Sequence, residues 1–239
     1  MSIKKRSPGF IAAHDRRERR RALAIRAGVT AVVVGLILAI GIAIFVKRSH
    51  QETAAPAVVP SAFTTDGGLT FGNPDAPVTV SVTEDFQCPA CRQFETTSGP
   101  VLTELMNAGQ ILVDAHPIAF LDRASTTQYS TRAASAAACV AQIDRDKWPA
   151  WKTAMFDNQP EEGGTGLTDD QIVAIAAQVG ITSPDIEPCI TAQRYADWVA
   201  ATTSTAMNGI PGTPYVTVNG EPVTDISPDG LRAAITAAQ

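Results

Sequence analysis

The sequence predicts an α/β domain with an inserted all-α subdomain, preceded by one N-terminal transmembrane helix. Three observations predict it: an uncharged apolar run at residues 27–46, alternating β-branched segments at 78–83 and 213–218, and helix-forming composition over about residues 124–207. A period of two indicates half-buried strands, whereas longer segments with helical spacing indicate helices. The expected order is therefore β, α, β, a helical block, a β-hairpin and a final α-helix.

The N-terminal segment predicts membrane attachment. Residues 27–46 form a run of 20 residues without a charge, enough at about 1.5 Å per residue to cross roughly 30 Å of hydrocarbon. By the positive-inside rule, the basic tail at residues 1–26 lies in the cytoplasm and the chain after the span lies outside. A cleaved signal peptide and a buried core helix are the alternatives, but the run exceeds the usual signal-peptide core and has no polar face. We expect a single-pass protein of the cell membrane.

The chain beyond the apolar run divides into a tether and a domain. Residues 47–66 are rich in Ala, Pro, Thr and Ser, a composition that predicts a linker. A compact domain is expected at residues 67–239. After His50 the chain has 8 Lys or Arg against 22 Asp or Glu, a net charge of −14. Because so acidic a body repels phosphate backbones, nucleic acid is not expected as a partner.

The first half of the domain contains two strands and one interrupted helix. Residues 78–83 alternate apolar and polar side chains, and residues 111–118 form a second strand candidate. Residues 90–106 between them read as helical, with an interruption at Gly99-Pro100 because proline disrupts a helix interior. The cysteine motif falls at the junction between the first of these strands and this helix.

The predicted insertion consists of four helices. The third opens with a capping box, Thr168-x-x-Gln171, and the fourth opens with Ser183-Pro184, an N-cap and a proline at the first helical position. The four segments are residues 130–143, 147–157, 168–179 and 183–207. Helical spacing assigns the aromatic residues of the second segment to the core; they are Trp148, Trp151 and Phe156.

The strongest chemical signal is the run Cys88-Pro89-Ala90-Cys91, which comes directly after a predicted strand and begins a predicted helix. At a helix start, unsatisfied backbone amides and the helix dipole stabilise a thiolate, and a lower thiol pKa gives more attacking thiolate and a better leaving group. One helical turn lets Cys91 reach Cys88. We therefore assign Cys88 as the attacking sulfur and Cys91 as the buried resolving sulfur of a redox-active disulfide.

Two other interpretations of this cysteine pair are half of a zinc site and an inert structural staple. Zinc needs two more ligands, but Cys139 and Cys189 are single cysteines. His116 is the only histidine after residue 50, and a lone histidine at the end of a strand is more often a structural residue than a catalytic one. A staple does not require the strand-to-helix junction. No metal and no cofactor beyond the Cys88–Cys91 disulfide is expected.

A second signal lies at the end of the domain, where a strand is predicted at residues 213–218. An Asn219-Gly220 turn connects it to a short strand at residues 221–223, and a final helix begins at Ser227-Pro228. Proline donates no ladder hydrogen bond, so Thr213-Pro214 conflicts with a central strand. A cis Thr213–Pro214 bond at the strand's entry resolves this conflict.

The runs FGNPDAPVTV, EDFQCPAC and NGIPGTPYVTVNG, in this order around a helical block, resemble the DsbA-like branch of the thioredoxin superfamily, especially its membrane-anchored actinobacterial members. The resemblance covers about residues 70–239 and implies a thioredoxin-like fold. It implies that Thr213 and Pro214 face the cysteine pair and that the Thr213 backbone binds an incoming client. It also implies that Pro89 and Ala90 tune the redox potential.

The resemblance leaves the oxidising strength open. Many relatives carry histidine or tyrosine where Ala90 stands, and many carry a buried carboxylate six residues before the first cysteine, where this chain has Val82. Glu84 and Asp85 lie nearer the site and are candidates for proton transfer to Cys91. The alternative is that they are a solvated strand end and a helix cap.

Cys139 and Cys189 fall in two different predicted helices of an exported domain, where disulfides persist. A bridge between them would close a loop of about 50 residues, which is worth roughly 4 kcal/mol in the chain-entropy model. We predict a structural disulfide; two buried free thiols are the alternative.

The expected activity is that of an extracytoplasmic thiol–disulfide oxidoreductase that oxidises unfolded or reduced exported proteins. The resemblance suggests reoxidation by a quinone-linked membrane protein of the DsbB or vitamin K epoxide reductase kind. A reductase or isomerase of the same fold is an alternative, because the sequence of the motif does not reveal the direction of electron flow. A client-binding module without redox turnover is the other alternative.

Overall fold

The computed structural model of the protein describes Gly35, Ile40 and residues 57–239. Gly35 and Ile40 are helical and exposed, but the rest of the predicted span, the basic tail and residues 47–56 of the predicted tether lie outside the described residues. Among the residues that are described, no helix is both long and apolar enough to cross a bilayer. The membrane span therefore stays a prediction, and the folded domain comprises residues 57–239.

Five strands form one mixed sheet in the order β1-β3-β2-β4-β5. Their bounds are Leu69–Gly72 (β1), Val78–Glu84 (β2), Ile111–Pro117 (β3), Tyr215–Val218 (β4) and Glu221–Pro222 (β5). The central strand β2 pairs in parallel with β3 and antiparallel with β4. Because β2 has a partner on each side, the residues directly after it are held near the middle of the sheet.

Eight α-helices accompany the sheet within residues 57–239. Their bounds are Pro89–Thr97 (α1), Gly99–Asn107 (α2), Tyr129–Ile143 (α3), Trp148–Asp157 (α4), Asp169–Gln178 (α5), Ile186–Thr191 (α6), Ala196–Met207 (α7) and Pro228–Ala237 (α8). Helices α3 to α7 form the predicted insertion between β3 and β4. The interruption predicted at Gly99-Pro100 is confirmed as a boundary between α1 and α2, and Thr168 and Gln171 form the predicted capping box.

The fourth helix of the insertion differs from the prediction. The segment from Ser183 toward Met207 contains two helices, and the first begins at Ile186 rather than after Ser183. Gln193 separates them, because its φ of 47° lies in the left-handed region and ends α6. The apolar pattern continues through both helices, so the break is not visible in the hydrophobic spacing.

The compact unit begins at Ala57, ten residues before the predicted boundary at Gly67. Phe63 is buried and packs edge-on against Trp198 at a centroid distance of 4.8 Å. Gln142 accepts hydrogen bonds from Ser61 and Ala62, and Arg145 donates one to the Ala62 carbonyl. Residues 57–66 are thus part of the domain, because one aromatic anchor and several polar contacts order an otherwise linker-like composition.

The buried side chains form two clusters. One lies around α1, α2, α8 and the strands β2 and β4, and includes Val80, Val82 and Val216. The other fills the helical insertion and extends to Cys88 and Cys91. Trp148, Trp151 and Phe156 are each at most 3% exposed within it, which confirms their assignment to the core. The cysteine pair therefore lies where the insertion packs against the strand-to-helix junction.

Candidate active site

Cys88 and Cys91 lie where β2 leads into α1. Cys88 is the N-cap residue of α1, and its carbonyl accepts hydrogen bonds from the amides of Cys91 (3.1 Å) and Arg92 (3.2 Å). Both cysteines are free thiols, with 7% of Cys88 and none of Cys91 exposed. Pro89 and Ala90, between them, are exposed. Cys88 is thus the sulfur nearer to solvent.

The two thiols differ strongly in acidity. A hydrogen bond with the Cys91 thiol lowers the pKa of Cys88 from 9.0 to about 6, although burial opposes the shift. The Thr213 side chain and the backbone N–H groups of the helix start reinforce it. Burial raises the pKa of Cys91 far above its usual range, and both the bond to Cys88 and the negative charge of Glu84 add to that increase. Near neutral pH the site therefore holds one thiolate and one thiol.

Thr213 and Pro214 lie beside the cysteine pair. The Thr213–Pro214 peptide bond is cis, as the strand entry indicated, and the Cys88 thiol donates to the Thr213 carbonyl at a sulfur-to-oxygen distance of 3.4 Å. The Thr213 hydroxyl is buried and has no hydrogen-bond partner among the described residues. When Cys88 ionises, this hydroxyl can donate to the thiolate, which accounts for the contribution of the Thr213 side chain to the lowered Cys88 pKa.

Glu84 is the buried end of β2 and not a solvated strand end, since only 5% of it is exposed. Its Oε2 lies 2.7 Å from the Lys152 ammonium, which also lies 2.8 Å from Oε2 of Glu95. Burial raises the pKa of Glu84 to about 7 despite the attraction of Lys152. Burial alone would lower the Lys152 pKa, but the two carboxylates more than offset that effect and raise it. Oε1 of Glu84 has no hydrogen-bond partner among the described residues.

Asp85 is fully buried and anchors the loop before Cys88 to the insertion. Its carboxylate accepts hydrogen bonds from the amides of Gln87 and Leu121, each at 2.8 Å, and from the Ser130 hydroxyl at 2.7 Å. Burial nevertheless raises its pKa to about 6. The solvated-cap interpretation of Asp85 is excluded. With three donors on two oxygens, this carboxylate is a structural anchor rather than an open proton acceptor.

A family model described as thioredoxin matches residues 64–237. The chain belongs to the thioredoxin family. The crystal structure of oxidised DsbA from Mycobacterium tuberculosis is 30% identical, with a TM-score of 0.64 over 72% of this chain and 92% of that one. The reduced disulfide bond oxidoreductase DsbG of the same organism is 31% identical, with a TM-score of 0.63 over 74% of this chain and 85% of that one.

A third relative is the serine/threonine-protein kinase PknE of Mycobacterium tuberculosis, which is 32% identical over 154 residues. The match covers 60% of this chain and 27% of the kinase, so this chain spans about a quarter of that relative's length. Together, the family match, the two thioredoxin-fold structures and the acidic thiol beside a second cysteine make the chain a DsbA-like thiol–disulfide oxidoreductase.

Other cysteine and histidine side chains of this thioredoxin-family domain lie apart from the pair. Cys139 on α3 and Cys189 on α6 are joined by a disulfide within the insertion. His116 forms a 2.7 Å contact with Asp114 on its own strand. Residues 57–239 contain no group of three or more His, Cys, Asp or Glu side chains that could hold a metal ion.

Sequence reasoning missed three residues that touch the site: Ser130, Lys152 and Gln159. All three come from the insertion, 42 to 71 residues after Cys88. Lys152 lies next to the core residue Trp151, and a lysine on a helix usually reaches solvent. The available signal was the pair of adjacent acids Glu84 and Asp85 close to Cys88. If such a carboxylate is buried, it generally requires a cationic partner.

Proposed function

We propose that the chain oxidises cysteine thiols of exported proteins to disulfides through Cys88 and Cys91. A client thiolate attacks the Cys88 sulfur of the oxidised pair, so the Cys88–Cys91 bond breaks and Cys91 leaves with an electron pair and takes a proton. A second client thiolate then attacks the client sulfur of the mixed disulfide and releases Cys88. The client gains one disulfide, and the two electrons remain on Cys88 and Cys91.

The position of Cys88 at the start of α1 and against Thr213, together with its lowered pKa, is what supports the oxidase direction. An acidic thiol is a good leaving group, which favours the second step, and a stabilised thiolate favours the reduced form of the pair. A pair whose reduced form is stabilised is a stronger oxidant. Neither histidine nor tyrosine is needed at position 90 for this effect, because Cys91, Thr213 and the helix start supply the hydrogen bonds.

Glu84 is the proposed proton donor to Cys91. The Cys91 thiolate formed in the first step lies in a buried site that strongly disfavours its charge, so protonation must accompany its release. Glu84 has a pKa of about 7 and one carboxylate oxygen without a partner among the described residues, so its protonated form is populated near neutral pH. Asp85 does not share this role, because its oxygens are already occupied.

The partners are proposed from the same scheme. Thr213 and Pro214 form the surface beside Cys88 where the client backbone binds, and Pro89 and Ala90, between the two cysteines, tune the redox potential. Turnover requires an oxidant, for which we propose a quinone-linked membrane protein of the DsbB or vitamin K epoxide reductase kind. The predicted span at residues 27–46 would keep an extracytoplasmic domain close to that partner.

The deciding experiment mixes oxidised full-length chain with an equimolar reduced client that contains several cysteines, and follows the loss of client thiols. We expect Cys88→Ser to abolish client oxidation. The double replacement Cys139→Ser with Cys189→Ser is the matched control, because it removes the other disulfide and leaves the pair intact. Undiminished client oxidation by Cys88→Ser would refute the proposal.

The reduction potential of the pair decides the direction. A value close to about −120 mV, that of DsbA, supports the oxidase, whereas one close to about −270 mV, that of thioredoxin, supports the reductase. Full cellular function of a Cys88→Ser, Cys91→Ser double variant would instead support a client-binding module without redox turnover.

A further inference from the structure

One side of α4 covers the junction that carries Cys88. Trp151 and Phe156 pack on Phe86 at centroid distances of 5.5 and 5.1 Å, so the residue two before Cys88 is enclosed by aromatic rings of the insertion. Lys152, on the same helix, bridges the carboxylates of Glu84 and Glu95, which lie on either side of the cysteine pair. The insertion therefore contacts the active-site segment at several successive residues.

Gln159 continues this contact immediately after α4. It lies two residues beyond the end of α4, and its amide donates a hydrogen bond to the Phe156 carbonyl at 3.1 Å. Its side-chain nitrogen donates to the carbonyl of Phe86 at 3.0 Å and to the carbonyl of Cys88 at 2.9 Å. A carboxamide has two N–H donors, so one side chain satisfies two main-chain acceptors that flank Gln87.

The Cys88 carbonyl thereby accepts three hydrogen bonds. Two come from the amides of Cys91 and Arg92 inside the first turn of α1, and the third comes from Gln159, which is 71 residues away. The two local bonds close the turn, and the loop before it is held through Asp85, whose carbonyl accepts a hydrogen bond from the Cys88 amide at 3.0 Å. The bond from Gln159 fixes the Cys88 peptide plane relative to the insertion. The backbone N–H groups of Ala90 and Cys91 in this turn lower the pKa of Cys88, so the orientation of the turn affects how strongly they stabilise the Cys88 thiolate.

We propose that Gln159 is a positioning residue for Cys88: its carboxamide holds the Phe86 and Cys88 carbonyls so that the first turn of α1 keeps its N–H groups directed at the Cys88 sulfur. The helical insertion then contributes, through Gln159, to the reactivity of Cys88. This inference rests on the proposed role of Cys88 as the attacking sulfur. Gln159 does not touch that sulfur and acts only through the backbone.

A role limited to stability makes a different prediction. If Gln159 only joined two parts of the fold, its loss would lower the free energy of unfolding and leave the acidity of Cys88 unchanged. If it positions the turn, its loss removes donors from the Cys88 thiolate and raises the Cys88 pKa. The pH dependence of Cys88 reactivity separates these roles because it is measured on folded protein.

The test uses the reduced full-length chain with Gln159→Met, which keeps the side-chain length and removes both donors. Gln159→Ala is the second variant, in case the methionine perturbs folding. Gln178→Met is the matched control, since Gln178 is exposed at the end of α5. The rate of alkylation of Cys88 by iodoacetamide is measured from pH 4 to 9 by mass spectrometry of the labelled peptide, together with urea unfolding of each variant.

We expect both Gln159 variants to move the midpoint of Cys88 alkylation upward by about half to one pH unit, equivalent to roughly three- to tenfold less thiolate below the midpoint. Gln178→Met should leave the midpoint at its wild-type value. Unchanged midpoints in folded Gln159 variants would overturn the inference, even if their urea stability falls. This outcome is independent of the proposed function, which is tested separately by client oxidation with Cys88→Ser and by the reduction potential of the pair.

Discussion

The Cys88 sulfur lies 3.4 Å from the backbone oxygen of Thr213, a residue 125 positions further along the chain. The contact joins the end of β2 to the entry of β4, two strands that are neighbours in the sheet. It places the more exposed cysteine against the segment proposed to bind clients. A client that pairs with the Thr213 backbone would therefore arrive with its sulfur close to Cys88.

The first prediction concerns the pH profile of Cys88. Its pKa is lowered to about 6, so the reactive thiolate is present above this pH and is lost as the pH falls through it. Alkylation of the reduced chain should follow a single titration with a midpoint near pH 6, and Cys91 should remain unlabelled at neutral pH. A midpoint above about pH 8, close to that of an ordinary thiol, would show that the helix start and Thr213 do not activate this thiol.

The second prediction concerns Cys91. Replacement of Cys91 by Ser removes the resolving sulfur, so a mixed disulfide between Cys88 and a client cannot be released within the chain. When the reduced variant is mixed with a client that already contains a disulfide, the Cys88 thiolate attacks that disulfide, one client sulfur leaves as a thiolate, and Cys88 stays bonded to the other. We expect these covalent adducts on non-reducing gels for Cys91→Ser, and none for Cys88→Ser. The Cys91→Ser, Cys88→Ser double variant is the control. Adducts that persist in that double variant would place the reactive sulfur elsewhere.

The third prediction concerns Glu84. In Glu84→Gln, Lys152 keeps Glu95 as a partner, but the proposed proton donor to Cys91 is lost. We expect reduction of the oxidised pair by a small dithiol to slow about a hundredfold, and the inflection near pH 7 in its rate to disappear. Glu104→Gln is the matched control because, within residues 57–239, Glu104 forms its ion pair with Arg232 on the surface. Equal pH profiles for Glu84→Gln and Glu104→Gln would exclude Glu84 as the donor.

The fourth prediction concerns stability and Asp85. Its pKa is raised from 3.8 in water to about 6 in the fold, so the folded state binds the proton more tightly. The resulting stability is fully present below about pH 4 and is lost as the pH rises through about 6. The difference in unfolding free energy between wild type and Asp85→Asn should therefore change by about 2 kcal/mol between about pH 4 and 7.

The control for this measurement is Asp170→Asn, which replaces an exposed carboxylate in the first turn of α5. Urea titrations of the three proteins at each pH provide the comparison. A pH-independent difference between wild type and Asp85→Asn would mean that Asp85 is ionised throughout and that its three hydrogen bonds outweigh its burial.

The fifth prediction concerns the disulfide of the insertion. Removal of the Cys139–Cys189 bridge by two alanine replacements should lower the free energy of unfolding by about 2 to 4 kcal/mol, because the open loop of about 50 residues gains entropy when unfolded. The folded fraction should keep its rate of client oxidation. Loss of client oxidation in fully folded protein would contradict a purely structural role.

The features that could be predicted from the sequence are those with a local cause. The strand-to-helix position of Cys88 is indicated by period-two alternation before it and proline after it, and the cis bond at Pro214 is indicated by a proline at a strand entry. The strand β1 was missed because it follows the linker-like composition directly and ends at Gly72. Its antiparallel pairing with β3, a contact between distant segments, decides its conformation.

The features that could not be predicted arise from contacts between distant segments. Glu84 is the charged last residue of β2, and the approach of Lys152 on α4 provides the cation that its burial requires. In the same way, nothing in the local sequence distinguishes Gln159 from other loop residues. Its role follows only from its hydrogen bonds to the carbonyls of Phe86 and Cys88. Such pairings depend on how the insertion packs, which spacing along the chain does not specify.

The pairing of β2 with β4 has a consequence for biosynthesis. The chain is made from its N-terminus, and Cys88, Cys91 and Cys139 all precede β4, which belongs to the last 25 residues. Long-range strand pairing forms late because loop closure must come first. A nascent chain thus exposes its cysteines before Thr213 can reach Cys88. The reactive thiol therefore acquires its full set of contacts only after β4 has paired with β2.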